Sequence, residues 1–183
     1  IGDGSARAYG QMIRDAGTTA QPDPREAYAV AAPLLVEQSD SFMSVHPCDR
    51  FKITCTSSDR QGRFTQFYSL DVTPEAWEKE LSHARTFCFF EEIEFLIKNG
   101  LIKGGSLENA VVIREDAVLT TEPLRYPDEF VRHKMLDIIG DLSLLGRPLR
   151  GHLVALRPSH SANCELVHLI DAQMRRAAVA QNF

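Results

Sequence analysis

Residues 127–146 read PDEFVRHKMLDIIGDLSLLG, and the organisation of the chain follows from this stretch. Pro127 or Asp128 opens a helix that runs to about Leu145, with Gly146 as its stop and Pro148 beyond. Phe130, Val131, Met135, Leu136, Ile138, Ile139, Leu142, Leu144 and Leu145 leave little polar surface, the mark of a buried helix. His133, Asp137 and Asp141 nonetheless follow one another at four-residue intervals, forming a single polar stripe. Ionisable groups on a buried helix are costly unless they are paired or bind metal. A histidine and an aspartate four apart can share one ion, as the histidines of H-E-x-x-H do; the same spacing also suits a His–Asp hydrogen bond inside a core.

Before the helix, the chain reads as strands. YAVAAPLLVE (28–37), SFMSVHP (41–47), RFKITCT (50–56) and RFTQFYSLDV (63–72) are short runs of β-formers separated by turn residues, the pattern of an antiparallel meander. Thr73 and Pro74 open a short helix running to about His83. TFCFF (86–90) reads as a short buried strand, EEIEFLIKNG (91–100) as a helix, KGGS (103–106) as a flexible turn and NAVVI (109–113) as a strand. The KGGS turn lacks the G-x-x-x-x-G-K spacing of a phosphate loop. LRGHLVALRP (149–158) is a further strand. A last helix starts at Ser159 or Ser161, leaving His160 in the loop RPSHSAN. Near the start, DGSARAYGQMIRDA (3–16) reads as a helix capped by Asp3 or Ser5, with Tyr9, Met12 and Ile13 as its apolar face. The polar, two-proline TTAQPDPRE (18–26) is the best candidate boundary between units. The fold class is α+β: a sandwich of a mainly antiparallel sheet packed with helices.

Composition sets outer bounds. With 44% hydrophobic and 25% charged residues among 183, the chain has the balance of a folded domain, and its net charge of −5 disfavours bulk nucleic-acid binding. The sign reverses between residues 124 and 160, where six cations (Arg125, Arg132, Lys134, Arg147, Arg150, Arg157) face four anions; an anionic substrate could be held there, or these are solvated surface charges. Cys48, Cys55, Cys88 and Cys164 form no C-x-x-C pair and suit reduced thiols in the cytoplasm. No run is long enough to span a membrane, no signal segment opens the chain, and Ile1 in place of Met suggests a fragment or processed chain. From residue chemistry alone, His133, Asp137 and His160 are the nominees for a facial triad of zinc or iron ligands.

A resemblance changes that assignment. DGSA (3–6), ARTFCF (84–89), GLIKGGSLENAVV (100–112), LRYPDEFVRHKMLDIIGDLSLLG (124–146) and the HSAN around His160 closely resemble segments of the UDP-3-O-acyl-N-acetylglucosamine deacetylase family, LpxC, in the family's order and with similar spacing. The chain resembles the C-terminal two-thirds of that family. The resemblance implies a zinc-dependent deacetylase of lipid A biosynthesis acting on the N-acetyl amide of a UDP-linked acylated glucosamine. In it, His133 and Asp137 match zinc ligands, and His160 matches a catalytic histidine that stabilises the oxyanion and protonates the leaving amine. Asp141 orients that histidine, and the Thr86 hydroxyl assists the oxyanion. Lys134, Phe87, Cys88 and Glu92 match substrate-contacting positions, and residues 89–112 match an inserted β-α-β unit forming a tunnel for the acyl chain. The family's third zinc ligand and its general base come from an E-H-x-x-x-A-L helix that this sequence lacks. Residues 1–25 then read as the remnant of an N-terminal domain and its linker, and 26–183 as the C-terminal deacetylase domain. The missing groups would come from a separate N-terminal polypeptide, and no membrane-spanning or nucleic-acid partner is expected. The alternative is a non-catalytic module that binds the acyl-sugar nucleotide. One departure stands beside the catalytic position: Pro158 and Ser159 precede His160 where the family commonly has glycine.

Overall fold

The computed structural model describes residues 2–100 and 105–180, without the side chains of Leu96 and Ala180. Lys103 and Gly104 of the expected KGGS turn lie outside the described residues. The architecture is α+β, a mainly antiparallel sheet with helices on its inner face, and a smaller sheet beside it.

The large sheet is built from β1 (Tyr28–Ala29), β2 (Leu34–Gln38), β3 (Ser41–His46), β4 (Phe51–Ser58), β5 (Thr65–Asp71) and a strand from much later in the chain, Leu149–Leu156. That late strand corrects the expected meander. The sheet does not run β2-β3-β4-β5: the late strand inserts between β3 and β4, antiparallel to the first (His46↔His152) and parallel to the second (Lys52↔His152). The reason is local. Residues 47–50 cross over the start of the late strand, where Gly151 donates its N–H to Arg50 O at 2.9 Å. A Cβ on Gly151 would lie 2.8 Å from Val30 Cγ2 and 3.1 Å from Val45 Cγ2, so only glycine lets the chains pass so closely.

After β5, Thr73 caps α2 (Pro74–Ala76), accepting from the Ala76 N–H at 3.1 Å, and the helix continues as a π-helical turn over Trp77–Leu81. The second unit follows: β6 (Phe87–Phe89), α3 (Phe90–Lys98), β7 (Val111–Arg114) and β8 (Ala117–Leu119). β6 and β7 pair in parallel across α3, forming the expected β-α-β crossover. β8 is an addition that three residues of sequence did not announce. Then come α4 (Glu129–Leu142), which tightens into a 3-10 turn at Ser143–Leu145 and stops at Gly146 with φ +70°, the late strand, now β9, and α5 (His160–Ala180).

α4 joins the two units. Val131, Met135, Ile138 and Leu142 enter the main core with Met43, Val45, Ile53 and Leu153 of the sheet and Leu166 and Ile170 of α5. Phe130 turns the other way, into a cluster with Val111, Ile113, Phe64, Phe87 and Phe89, its ring 4.8 Å from that of Phe87. α1 (Arg7–Ala16) departs from expectation. Its cap position is Ala6, which makes no side-chain cap, and Tyr9, Met12 and Ile13 are exposed rather than packed.

Candidate functional site

The polar stripe of α4 lies where the main core meets the smaller unit. His133 Nδ1 donates to Ala84 O at 3.1 Å, so Nε2 carries the lone pair, and it lies 3.4 Å from Asp137 Oδ1. Burial pushes the His133 imidazole below its ordinary value, against the pull of the Asp137 carboxylate. Lys134 Nζ takes the other oxygen, Asp137 Oδ2, at 3.1 Å and sits 5.7 Å from the centre of the Phe87 ring.

The carbonyl that holds His133 belongs to a segment clamped by charge. Arg85, next to Ala84, gives its N–H and its Nε to Glu129 Oε1 (2.9 and 2.8 Å) and its Nη2 to Oε2 (3.1 Å). The two side chains are 4% and 0% exposed. Burial alone would push the Glu129 carboxyl up; the bonds from Arg85 and the Arg125 N–H outweigh it and hold it below the usual carboxylate range. Arg125 in turn pairs with Asp3 at 2.7 Å. Asp3 therefore serves this network rather than capping α1. Gly4, one residue on, accepts the Thr86 N–H at 2.8 Å, while Thr86 O accepts from Val111 at 2.9 Å. DGSA thus packs against the residue that leads into β6.

One turn further along α4, Asp141 Oδ2 accepts from His160 Nδ1 and from Asn163 Nδ2, both at 2.8 Å. His160 is the first residue of α5, not a loop residue. Ser159 caps that helix: its Oγ accepts from Ala162 N at 3.2 Å and its carbonyl from Asn163 N at 2.8 Å. Serine at the position before His160 therefore supplies a cap that glycine supplies less well. Arg157 adopts φ +48°, and its carbonyl accepts from Ser41 Oγ at 2.7 Å.

A cleft of about 460 Å³ is lined by Lys134, Phe87, Phe89, Glu92, Phe64 and Arg157, among others; neither the His133–Asp137 nor the Asp141–His160 pair is in that lining. Cys88 is half-buried and absent from that lining; burial, with Glu92 adding, raises its thiol above the usual value. Cys55, inside the core, is pushed up to about 12 by burial. Among the described residues, no three His, Cys, Asp or Glu side chains are grouped to hold a metal ion. The triad of His133, Asp137 and His160 nominated from residue chemistry is therefore not assembled: the stripe splits into a His133–Asp137 pair and an Asp141–His160 pair. Of the six cations noted in the sequence, Lys134 and Arg157 line the cleft; sequence reading missed the Arg85–Glu129 clamp and the contact of Asn163 with Asp141. Only the last had a signal, the one-turn spacing of His160 and Asn163.

Comparison with known proteins supplies a frame for this geometry. Residues 1–172 match the family model described as LpxC, UDP-3-O-acyl N-acetylglycosamine deacetylase, and the chain belongs to that family. The protein named UDP-3-O-acyl-N-acetylglucosamine deacetylase from Chlamydia abortus (strain DSM 27085 / S26/3) is 45% identical over 168 residues, 91% of this chain and 60% of its own length. The protein of the same name from Myxococcus xanthus (strain DK1622) is 41% identical over 174 residues, 93% of this chain and 54% of its own. The chain thus spans just over half to three-fifths of the length of these relatives.

Proposed function

We propose that this chain carries most of a zinc-dependent deacetylase site that hydrolyses the N-acetyl amide of UDP-3-O-acyl-N-acetylglucosamine, a step of lipid A biosynthesis in the cytoplasm. The observation that carries the reading is the His133–Asp137 pair. Two atoms with lone pairs, Nε2 and Oδ1, face each other at 3.4 Å, and a cation between them removes the repulsion. Two ligands, each about 2.1 Å from a tetrahedral zinc ion, lie about 3.4 Å apart, so the pair fits that metal. The Ala84 carbonyl on the far side of the ring fixes its tautomer, as outer partners of ligating histidines do.

Zinc, when bound, supplies Lewis-acid polarisation of the acetyl carbonyl and of the attacking water. The chain's own residues bind the substrate, orient it and protonate the leaving group. Lys134 and Arg157 place cationic groups in the cleft for the diphosphate, and Phe87 lines it with them. Glu92 lines the same cleft. Thr86, anchored by Gly4 and Val111, sits immediately before β6 with its hydroxyl assigned to the developing oxyanion. As the C–N bond breaks, His160 gives a proton to the leaving amine and Asp141 holds its ring. Exposed Phe95 and Ile97 of α3 offer apolar surface for the acyl chain. The third metal ligand and the general base come from an N-terminal domain of which residues 1–25 are the end, 26–183 forming the deacetylase domain. Four free thiols suit the cytoplasm, and no described helix is long and apolar enough to cross a membrane.

Titration calorimetry with zinc chloride tests the reading. Two donors fill half a tetrahedral shell, so the chain alone binds zinc weakly. His133→Ala abolishes that binding and His160→Ala leaves it unchanged. Tight stoichiometric binding by the chain alone, or loss of binding in His160→Ala, would return His160 to the ligand set and overturn its role as the acid.

A further inference from the structure

We infer that Asn163 is a positioning residue for the proton-transfer pair: its amide fixes the Asp141 carboxylate that orients His160. The inference rests on the reading of His160 as the acid.

Both donors converge on one oxygen. Asp141 Oδ2 receives Nδ1 of His160 and Nδ2 of Asn163, each at 2.8 Å. A carboxylate only accepts, so the nitrogen end of the Asn163 amide faces it. An aspartate side chain with one partner rotates about its terminal torsion within a broad well. A second donor on the same oxygen narrows that well. The two donors share one frame, because His160 and Asn163 lie one turn apart on α5 and the helix is capped at Ser159, whose carbonyl accepts the Asn163 N–H. Asn163 is 1% exposed whereas the His160 side chain is 67% exposed. The solvent-facing ring is thus steered through a carboxylate pinned from inside the protein.

The energetics point the same way. The other end of the amide, Oδ1, is buried and has no partner among the described residues. An unmet buried acceptor costs stability, and a leucine of similar volume would avoid it. Fold stability therefore does not explain an amide at this position; its donor end, aimed at Asp141, does.

The tautomer of His160 reads the arrangement without any need for turnover. Neutral histidine in water favours the Nε2–H form; a ring that donates Nδ1–H to a fixed carboxylate favours the other. Long-range ¹H–¹⁵N spectra of the ring in the full chain, above the titration of the ring, are expected to show Nδ1–H as the major form of His160. In Asn163→Leu the Nδ1–H to Nε2–H ratio falls by about fivefold, equivalent to about 1 kcal/mol of hydrogen bond, while the melting temperature stays level or rises. Asp141→Asn reverses the preference and serves as the reference for complete loss. An unchanged ratio in Asn163→Leu overturns the inference. So does a fall in the ratio accompanied by a fall in melting temperature, since that makes Asn163 a structural residue. Failure of zinc to bind at His133 and Asp137 leaves these spectra unchanged, so it counts against the functional reading and not against this one.

Discussion

His133 and His160 serve the same polar stripe of α4, yet they are held in opposite ways. His133 is half-buried on α4, and its outer nitrogen donates to a backbone carbonyl, that of Ala84. His160 stands at the exposed start of α5, and its Nδ1 meets a carboxylate. A carbonyl partner is satisfied by a neutral ring and leaves the other nitrogen free to ligate. A carboxylate partner supports a ring that gains and gives a proton. The bracing differs as well. Behind His133 stands a buried ion-pair network, while behind His160 stand a helix cap and an amide. Under the proposed reading, what separates the ligand from the acid is the partner of each ring, not the residue type.

The comparison can be broken at its braces. The largest effect is expected from Glu129→Gln, which leaves Arg85 buried without its main counter-charge and lowers stability by about 3 kcal/mol or more. Denaturant unfolding of the variant measures this, and an unshifted midpoint would show that the network does not brace the Ala84 segment. Next comes Gly4→Ala. A Cβ there would sit 2.2 Å from Asn109 O, at φ +81°, so the variant loses more than about 1 kcal/mol and the Thr86 amide exchanges faster by NMR. On the other side, Ser159→Ala removes the cap of α5 and costs about 1 kcal/mol, whereas Ser159→Gly costs only a few tenths. Equal losses in thermal melts of the two variants would show that the cap does not hold His160 in place.

The smallest effect is that of Asp3, and it depends on pH. Burial would raise its carboxyl, but the bonds from Ser5 and Arg125 prevail and lower it to about 2. A carboxyl depressed in the folded state stabilises it above the unfolded value of 3.8, and the gain is lost as pH falls through about 2. With Asp3 a third exposed, solvent screening trims the gain to about 1 kcal/mol or less. Asp3→Asn should match that deficit near neutral pH and converge with the parent chain in strong acid. A pH-independent deficit would assign the effect to geometry instead of charge.

The legible parts of the sequence were those with a period. α4 announced itself by apolar residues on nearly every side, and β2 to β5 by short β-forming runs. Strand order was not legible, because nothing in the alternation of LRGHLVAL states which neighbours it takes. Arg85 and Glu129 read as ordinary charges in one dimension; only the fold removes them from water. Tyr9, Met12 and Ile13 misled in the other sense, having helical spacing but lying exposed. In the site, the four-residue spacing located both pairs. Their division between two environments depends on Ala84 and on the start of α5, which lie 49 and 19 residues away from the rings or carboxylates they meet.

The insertion of β9 between β3 and β4 also sets a timetable. Thr54 and His152, neighbours in the sheet, are 98 residues apart. At a synthesis rate of about 5–20 residues per second, the early hairpins wait roughly 5–20 s for the strand that joins them. Through that interval β3 and β4 each present an unpaired edge, the form most prone to pairing with another chain. Nascent chains arrested before Leu149 should stay protease-sensitive and gain resistance only once β9 has emerged. The middle of the sheet is the last part to be made.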